Sequence, residues 1–146
     1  MKKKYLLLII LIIILIIFDL TTKYFANLYL QEKIVINDFF CFLLSKNKYI
    51  AFSIPIPLIV QILITPFLLA IFIAYLKENL KSKIIFSGGL LIISGAVGNF
   101  IERIFYGEVT DFIDFSFWPS FNLADSFITL GAILIIMGEM YQIKKL

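Results

Sequence analysis

The sequence predicts an all-α membrane protein, in which four transmembrane helices carry a small extracytoplasmic lobe that contains strands, as a single domain over residues 1–146. Three observations predict it. Hydrophobic residues make up 62% of the chain and the mean hydropathy is +1.02, a composition for lipid rather than for a water-soluble globule. Four apolar stretches, at about 5–28, 58–76, 84–101 and 123–141, are each long enough at 1.5 Å rise per residue to cross most of a hydrocarbon core about 30 Å thick. The remaining polar residues are gathered in particular connections, and there the basic ones divide unevenly.

Lys2, Lys3 and Lys4 precede an apolar run at 5–18, like the n-region and h-region of a secretory signal peptide. No small-residue cleavage site follows, and apolar residues resume after Asp19, Thr21, Thr22 and Lys23, so the run reads as an uncleaved first span. Its apolar positions cover roughly 21 Å, which sets Asp19 near the far edge of the membrane. Asp19 and Lys23, four residues apart, share a helix face on which they can pair.

Residues 31–57 mix Lys33, Asp38, Lys46, Asn47 and Lys48 with aromatic and β-branched residues, the pattern of short strands at a membrane surface. Cys41, among Phe39, Phe40 and Phe42, is expected to be packed rather than reactive. Pro66 inside the second span is tolerable because neighbouring helices and local adjustments satisfy the freed backbone groups. After a short basic hairpin at 77–83, the third span is free of charge and rich in small residues. Ser94 and Gly98 form a small-xxx-small pair that lets helices approach closely.

An even number of spans puts both termini on one side. That side collects Lys2, Lys3, Lys4, Lys77, Lys81, Lys83, Lys144 and Lys145, while the other holds five basic residues and eight of the ten acids. Short-loop lysines favour the cytoplasm, so both termini are expected there. The polar stretch at 94–126 then belongs to the extracytoplasmic face, where ionisable groups beside lipid point to function.

The absence of His and the single Cys exclude a serine–histidine triad, a His/Cys metal cluster and an internal disulfide. No metal or other cofactor is expected. The net charge of +3 calls for no nucleic-acid partner, and a monomer is the expected state. Chemistry would fall to carboxylates, Lys, Tyr, Ser or Thr. Two carboxylates at a dry interface can share a proton, leaving one as base and one as acid to activate a water against an amide. The candidates are Asp19, Glu102, Glu108, Asp111, Asp114 and Asp125. Asn122 and Asp125, three apart at the start of the fourth span, also fit an N-cap and its return arm. Asp111 and Asp114 fall in what reads as a solvated loop. A small transporter or proton-conducting subunit is the alternative, although its carboxylates would be expected near the midplane. A non-enzymatic scaffold would need only the glycines and the lysines.

Five ordered stretches narrow the choice: Asp19-Leu20-Thr21-Thr22-Lys23; Asn47 with Ala51-Phe52; Gly95-Ala96-Val97-Gly98-Asn99 with Arg103; Gly107-Glu108-Val109-Thr110-Asp111-Phe112; and Phe121-Asn122-Leu123-Ala124-Asp125. In these the chain resembles, from end to end, the type II signal peptidases, the prolipoprotein signal peptidases of bacteria. The resemblance implies an aspartic intramembrane endopeptidase that cuts lipoprotein precursors just before a diacylglyceryl-modified cysteine. It implies Asp111 and Asp125 as the catalytic pair, with Asp114 outside it. It further implies Asn99, Arg103 and Asn122 as polar residues lining the site, Asn47 as a substrate contact, and Asp19 and Lys23 as supports from the first helix. The partners implied are lipidated precursors and membrane lipid. Two departures stand out: Asn47-Lys48-Tyr49-Ile50-Ala51-Phe52 replaces the usual Asn-x-Gly-Ala-Ala-Phe, and Glu102 replaces an Asp before Arg103, with a changed pairing to Arg103 expected.

Overall fold

A computed structural model describes residues 2–49 and 54–143. Ile50, Ala51 and Phe52 of the first loop, and Lys144 and Lys145, lie outside them. Four helices, α1 (Lys2–Tyr29), α2 (Leu58–Glu78), α3 (Lys83–Tyr106) and α4 (Leu123–Ile143), are each long and apolar enough to cross a membrane. A small antiparallel sheet of β1 (Ile34–Asn37), β2 (Phe40–Asn47), β3 (Val109–Phe115) and β4 (Trp118–Phe121), in that spatial order, completes the described fold.

Helix α3 is the centre of the bundle. Its glycines are gaps cut for neighbours: a Cβ on Gly88 would lie 2.5 Å from the Gly131 carbonyl oxygen of α4, and one on Gly131 would lie equally close to the Gly88 carbonyl. On the next side of α3, Gly89 receives the Leu76 side chain of α2. Gly138 continues the α4 contact, where a Cβ would meet the Ile85 side chain at 2.5 Å. Small residues at helix crossings allow the close approach that dispersion contacts need in lipid. Ser94, fully buried, returns its hydroxyl to the Leu90 carbonyl at 2.8 Å and so adds no unpaired polar group.

The structure corrects three sequence expectations. The third helix runs to Tyr106 rather than to 101, so Glu102 and Arg103 stand on helix and not in a loop. Polar side chains do not end a helix; it ends at Gly107, whose φ of 73° is open to glycine at little cost and whose N–H bonds the Arg103 carbonyl at 3.1 Å. Asp111 and Asp114 lie on strand β3, not in a loop, because Val109, Thr110, Phe112, Ile113 and Phe115 make a β-forming run. The lobe therefore draws only half its strands from residues 31–57, the others coming from the connection between α3 and α4.

Strand pairing joins the two halves. Asn47 is paired with Val109, Lys46 with Thr110 and Ser45 with Asp111, which carries the end of β2 over the end of α3. Cys41 is buried as expected, its thiol donating to Asp114 Oδ1 at 3.3 Å.

Candidate active site

The site forms where α3, the start of α4 and the sheet meet. Asn122 caps α4, its Oδ1 accepting from the Asp125 N–H at 3.0 Å, while Asp125 Oδ2 accepts from the Asn122 N–H at 3.3 Å. This is the reciprocal cap that the three-residue spacing predicts. The same Asn122 amide donates to Asp111 Oδ1 at 2.7 Å and more weakly to Asn99 Oδ1 at 3.3 Å. Asn99 in turn donates to Asp125 Oδ1 at 2.9 Å. Two asparagines thus hold two carboxylates, one from a strand and one from a helix N-terminus.

Asp111 Oδ2 faces the third amide, accepting from Asn47 Nδ2 at 3.1 Å. Asn47 Oδ1 accepts from the Tyr49 N–H at 2.9 Å, so its own side chain makes the bend that a glycine would otherwise ease. Burial, and then the charge of Asp125, push Asp111 up to about 6; the Asn47 and Asn122 donors pull the other way. Asp114 is three residues along the strand and so on its other face. There it accepts from Cys41 and, at 2.7 Å, from the Ser120 hydroxyl.

Beneath the carboxylates lies a buried charge cluster. Lys23 Nζ is 2.8 Å from Asp19 Oδ2 and 3.3 Å from Glu102 Oε2, and donates to Asn99 Oδ1 at 2.8 Å. Asp19 Oδ1 accepts from the Ala124 N–H at 2.8 Å, which satisfies an open donor in the first turn of α4. A Cβ on Gly98 would come within 2.6 Å of Asp19 Oδ2, so Gly98 makes room for a carboxylate more than for a helix. Glu102 accepts from both the Thr110 N–H, at 2.9 Å, and the Thr110 hydroxyl, at 2.7 Å. This fixes the strand one residue before Asp111. Glu102 and Arg103 diverge by about 100° on the helix, and among the described residues no ion pair joins them.

Arg103 donates from Nη2 to the Tyr49 carbonyl at 3.2 Å. It lines, with Asn47, Asn99, Asp111 and Asp125, a cavity of about 560 Å³ walled by Trp118, Phe121 and Ile128. Of the eight residues singled out from the sequence, Asn47, Asn99, Arg103, Asp111 and Asp125 line the cavity, Asn122 and Lys23 bond to residues that do, and Asp19 is joined to them through Lys23. Thr110 was missed there, and so was Gln61, whose buried Nε2 donates to the carbonyls of Lys48, at 3.0 Å, and Ile56, at 2.6 Å, closing the loop above α2. The polar Gln61 in an apolar span was the available signal. Among the described residues no group of His, Cys, Asp and Glu has the arrangement of a metal site.

Comparison with known proteins gives the family and the fold. A sequence model described as signal peptidase (SPase) II matches residues 11–141. The chain belongs to the signal peptidase II family. It is accordingly a bacterial multi-pass membrane protease. The lipoprotein signal peptidase of Francisella tularensis subspecies novicida is 39% identical over 140 residues, covering 87% of this chain and 87% of its own. That of Paraburkholderia phymatum is 44% identical over 80 residues, 51% of this chain and 48% of its own. A bacterial membrane enzyme solved by the in meso method at 2.3 Å superposes with a TM-score of 0.87 at 29% identity, covering 94% of this chain and 90% of the other. A second, at 1.9 Å, gives a TM-score of 0.79 at 32% identity, with 89% and 90% covered.

Proposed function

We propose that this signal peptidase II family member is an aspartic endopeptidase that removes the signal peptide of bacterial prolipoproteins just before the diacylglyceryl-modified cysteine, with Asp111 and Asp125 as the catalytic pair. The observation that carries the reading is the relay Asp111–Asn122–Asn99–Asp125, in which both carboxylates face one cavity and every intervening group is a side-chain amide. Neutral amides hold the carboxylates in place without fixing their charge, so one proton can be shared between them.

In the proposed reaction the ionised aspartate takes a proton from a water, whose oxygen bonds to the scissile carbonyl carbon. The protonated aspartate gives its proton to the carbonyl oxygen, forming a neutral gem-diol. Return of a proton to the amide nitrogen then breaks the C–N bond and releases the new amine, with the second product a carboxylate. Arg103 and Asn47, at the cavity rim, hold the substrate backbone, and Asp19 and Lys23 support the pair from below.

The lysine distribution supports cytoplasmic termini and an extracytoplasmic site. The chain acts as one membrane-embedded peptidase unit and as a monomer, on a substrate that is itself a membrane helix. Each acyl methylene buried against apolar walls contributes ~0.8 kcal/mol, so the lipid dominates recognition. The deciding experiment is cleavage of a diacylglyceryl-cysteine precursor peptide by the purified protein. Cleavage at the bond before that cysteine, with very poor turnover of the unlipidated peptide, is expected. Equal turnover of the two peptides, or cleavage that survives Asp111→Asn, would overturn the reading.

A further inference from the structure

At the opposite end of the bundle from the cavity, the Tyr75 hydroxyl of α2 donates to Glu139 Oε1 of α4 at 2.5 Å. The level is set by packing, since Leu76 fills the Gly89 gap and Gly138 sits against Ile85 near the start of α3. Gly88 and Gly89, neighbours on α3, seat α4 and α2 respectively, so those two helices lie on adjoining sides of α3. The cavity lies toward the other end of α3. Arg103, fourteen residues beyond Gly89 and so close to the same strip of α3, stands on the α2 side, and Asn99, eleven beyond Gly88, stands on the α4 side.

Glu139 lies on the side of α4 that meets α2 at Tyr75. It is fourteen residues beyond Asp125, almost four whole turns, which places it about 21 Å below along the axis. Among the described residues its bonded partner is a neutral phenol and no Lys or Arg pairs with it, at a helix end whose sequence is otherwise rich in lysine.

We propose that Glu139, held by Tyr75, docks the basic n-region of the precursor's signal peptide. The inference rests on the peptidase reading above. Its argument is charge and length: a signal peptide carries a positively charged n-region before an apolar h-region of about 7–15 residues, and such an h-region as a helix spans about 10–22 Å. A signal helix lying alongside α4 with its end at Asp111 and Asp125 delivers its first cations to the level of Glu139. The carboxylate then helps set the register of the cut, and it discriminates signal helices from apolar helices without a basic start.

The test uses the full chain in lipid and two lipidated precursors that differ only in the n-region, one with lysines and one with glutamines in their place. Wild-type protein should cleave the lysine form with kcat/KM about five-fold higher, the difference lying in KM, as for a partly exposed ion pair worth about 1 kcal/mol. Glu139→Gln should lose that advantage on the lysine form, leave the glutamine form as it was, and remove the salt dependence that separates the two. Zero-length carbodiimide coupling of the lysine precursor to wild-type protein should join its n-region to Glu139, a readout that needs no variant to fold. Equal loss on both precursors in Glu139→Gln would mean a mere interhelical clasp, and coupling only to Glu78 would place the n-region elsewhere; either overturns the docking site. Wild-type protein that cuts both precursors equally well overturns it while leaving the peptidase reading intact, whereas failure to cut either removes both.

Discussion

Asn122 and Asp125 cap each other across the first turn of α4, at 3.0 and 3.3 Å, and the same two residues carry the amide relay to Asp111. Structural and chemical roles are therefore separable at Asn122. Asn122→Ser keeps a good N-cap but removes the amide donor to Asp111; Asn122→Ala removes both. Thermal unfolding should show Asn122→Ala less stable by about 1 kcal/mol and Asn122→Ser nearly unchanged. Turnover should fall about 100-fold in both. Activity that tracks stability instead would reduce Asn122 to a cap.

Asparagine in place of either member of the pair keeps the shape and removes the titrating group. Asp111→Asn and Asp125→Asn should each lower kcat by roughly three orders of magnitude or more while the protein still inserts in the membrane. Asp114→Asn should cost far less, since Asp114 faces Cys41 and Ser120 on the other side of β3. A ranking of Asp114 above Asp111 in the same assay would refute the pairing.

Asp111 is raised to about 6, which fixes the sign of two pH effects. A carboxyl raised above its ordinary value near 4 contributes stability in full below that value, and the contribution is lost as pH rises through about 6. The stability of wild type relative to Asp111→Asn should therefore fall between about pH 4 and pH 6. In kcat/KM, which reports the free enzyme, Asp111 keeps its proton below about pH 6, so an alkaline limb should appear near there. Asn47→Ala removes a donor to the ionised form, at 3.1 Å, and should move that limb to higher pH. A limb that moved down would contradict the hydrogen-bond argument.

The spans and the cap were legible because both are local. Hydropathy over about twenty residues finds a membrane helix, and a three-residue spacing finds Asn122 with Asp125. The end of α3 was misread because Glu102 and Arg103 look like loop residues, whereas Gly107 decides the stop. Strand β3 was hidden because its partner, β2, is more than sixty residues earlier and the pairing of Ser45 with Asp111 leaves no trace in either stretch alone. Glu102 was noted as a departure, yet its clamp on Thr110 becomes visible only once helix and strand are side by side. Composition and spacing alone left an aspartate pair only possible among six carboxylates. The motifs, by resemblance, pointed to Asp111 and Asp125.

The last prediction concerns the charge cluster of Asp19, Lys23 and Glu102. Lys23 is 1% exposed and is the cation within salt-bridge distance of two buried carboxylates, at 2.8 and 3.3 Å. Lys23→Met would leave both carboxylates buried without a counter-charge, which should destabilise the fold by about 3–5 kcal/mol, far more than an exposed pair would lose. Replacing the whole cluster by neutral groups of similar size, Asp19→Asn with Lys23→Met and Glu102→Gln, removes the desolvation cost along with the attraction, so the triple variant should recover most of that loss. Turnover should not recover with it. Asn99 Oδ1 would lack the Lys23 donor at 2.8 Å, and the clamp of Glu102 on Thr110 would lose its charge, so the two carriers of Asp125 and Asp111 would both loosen. Thermal unfolding and peptide cleavage measured on the same preparations separate the two effects. A Lys23→Met protein as stable as wild type would show that the cluster is not held by its charges, and a fully active triple variant would show that it does nothing for the aspartates above it.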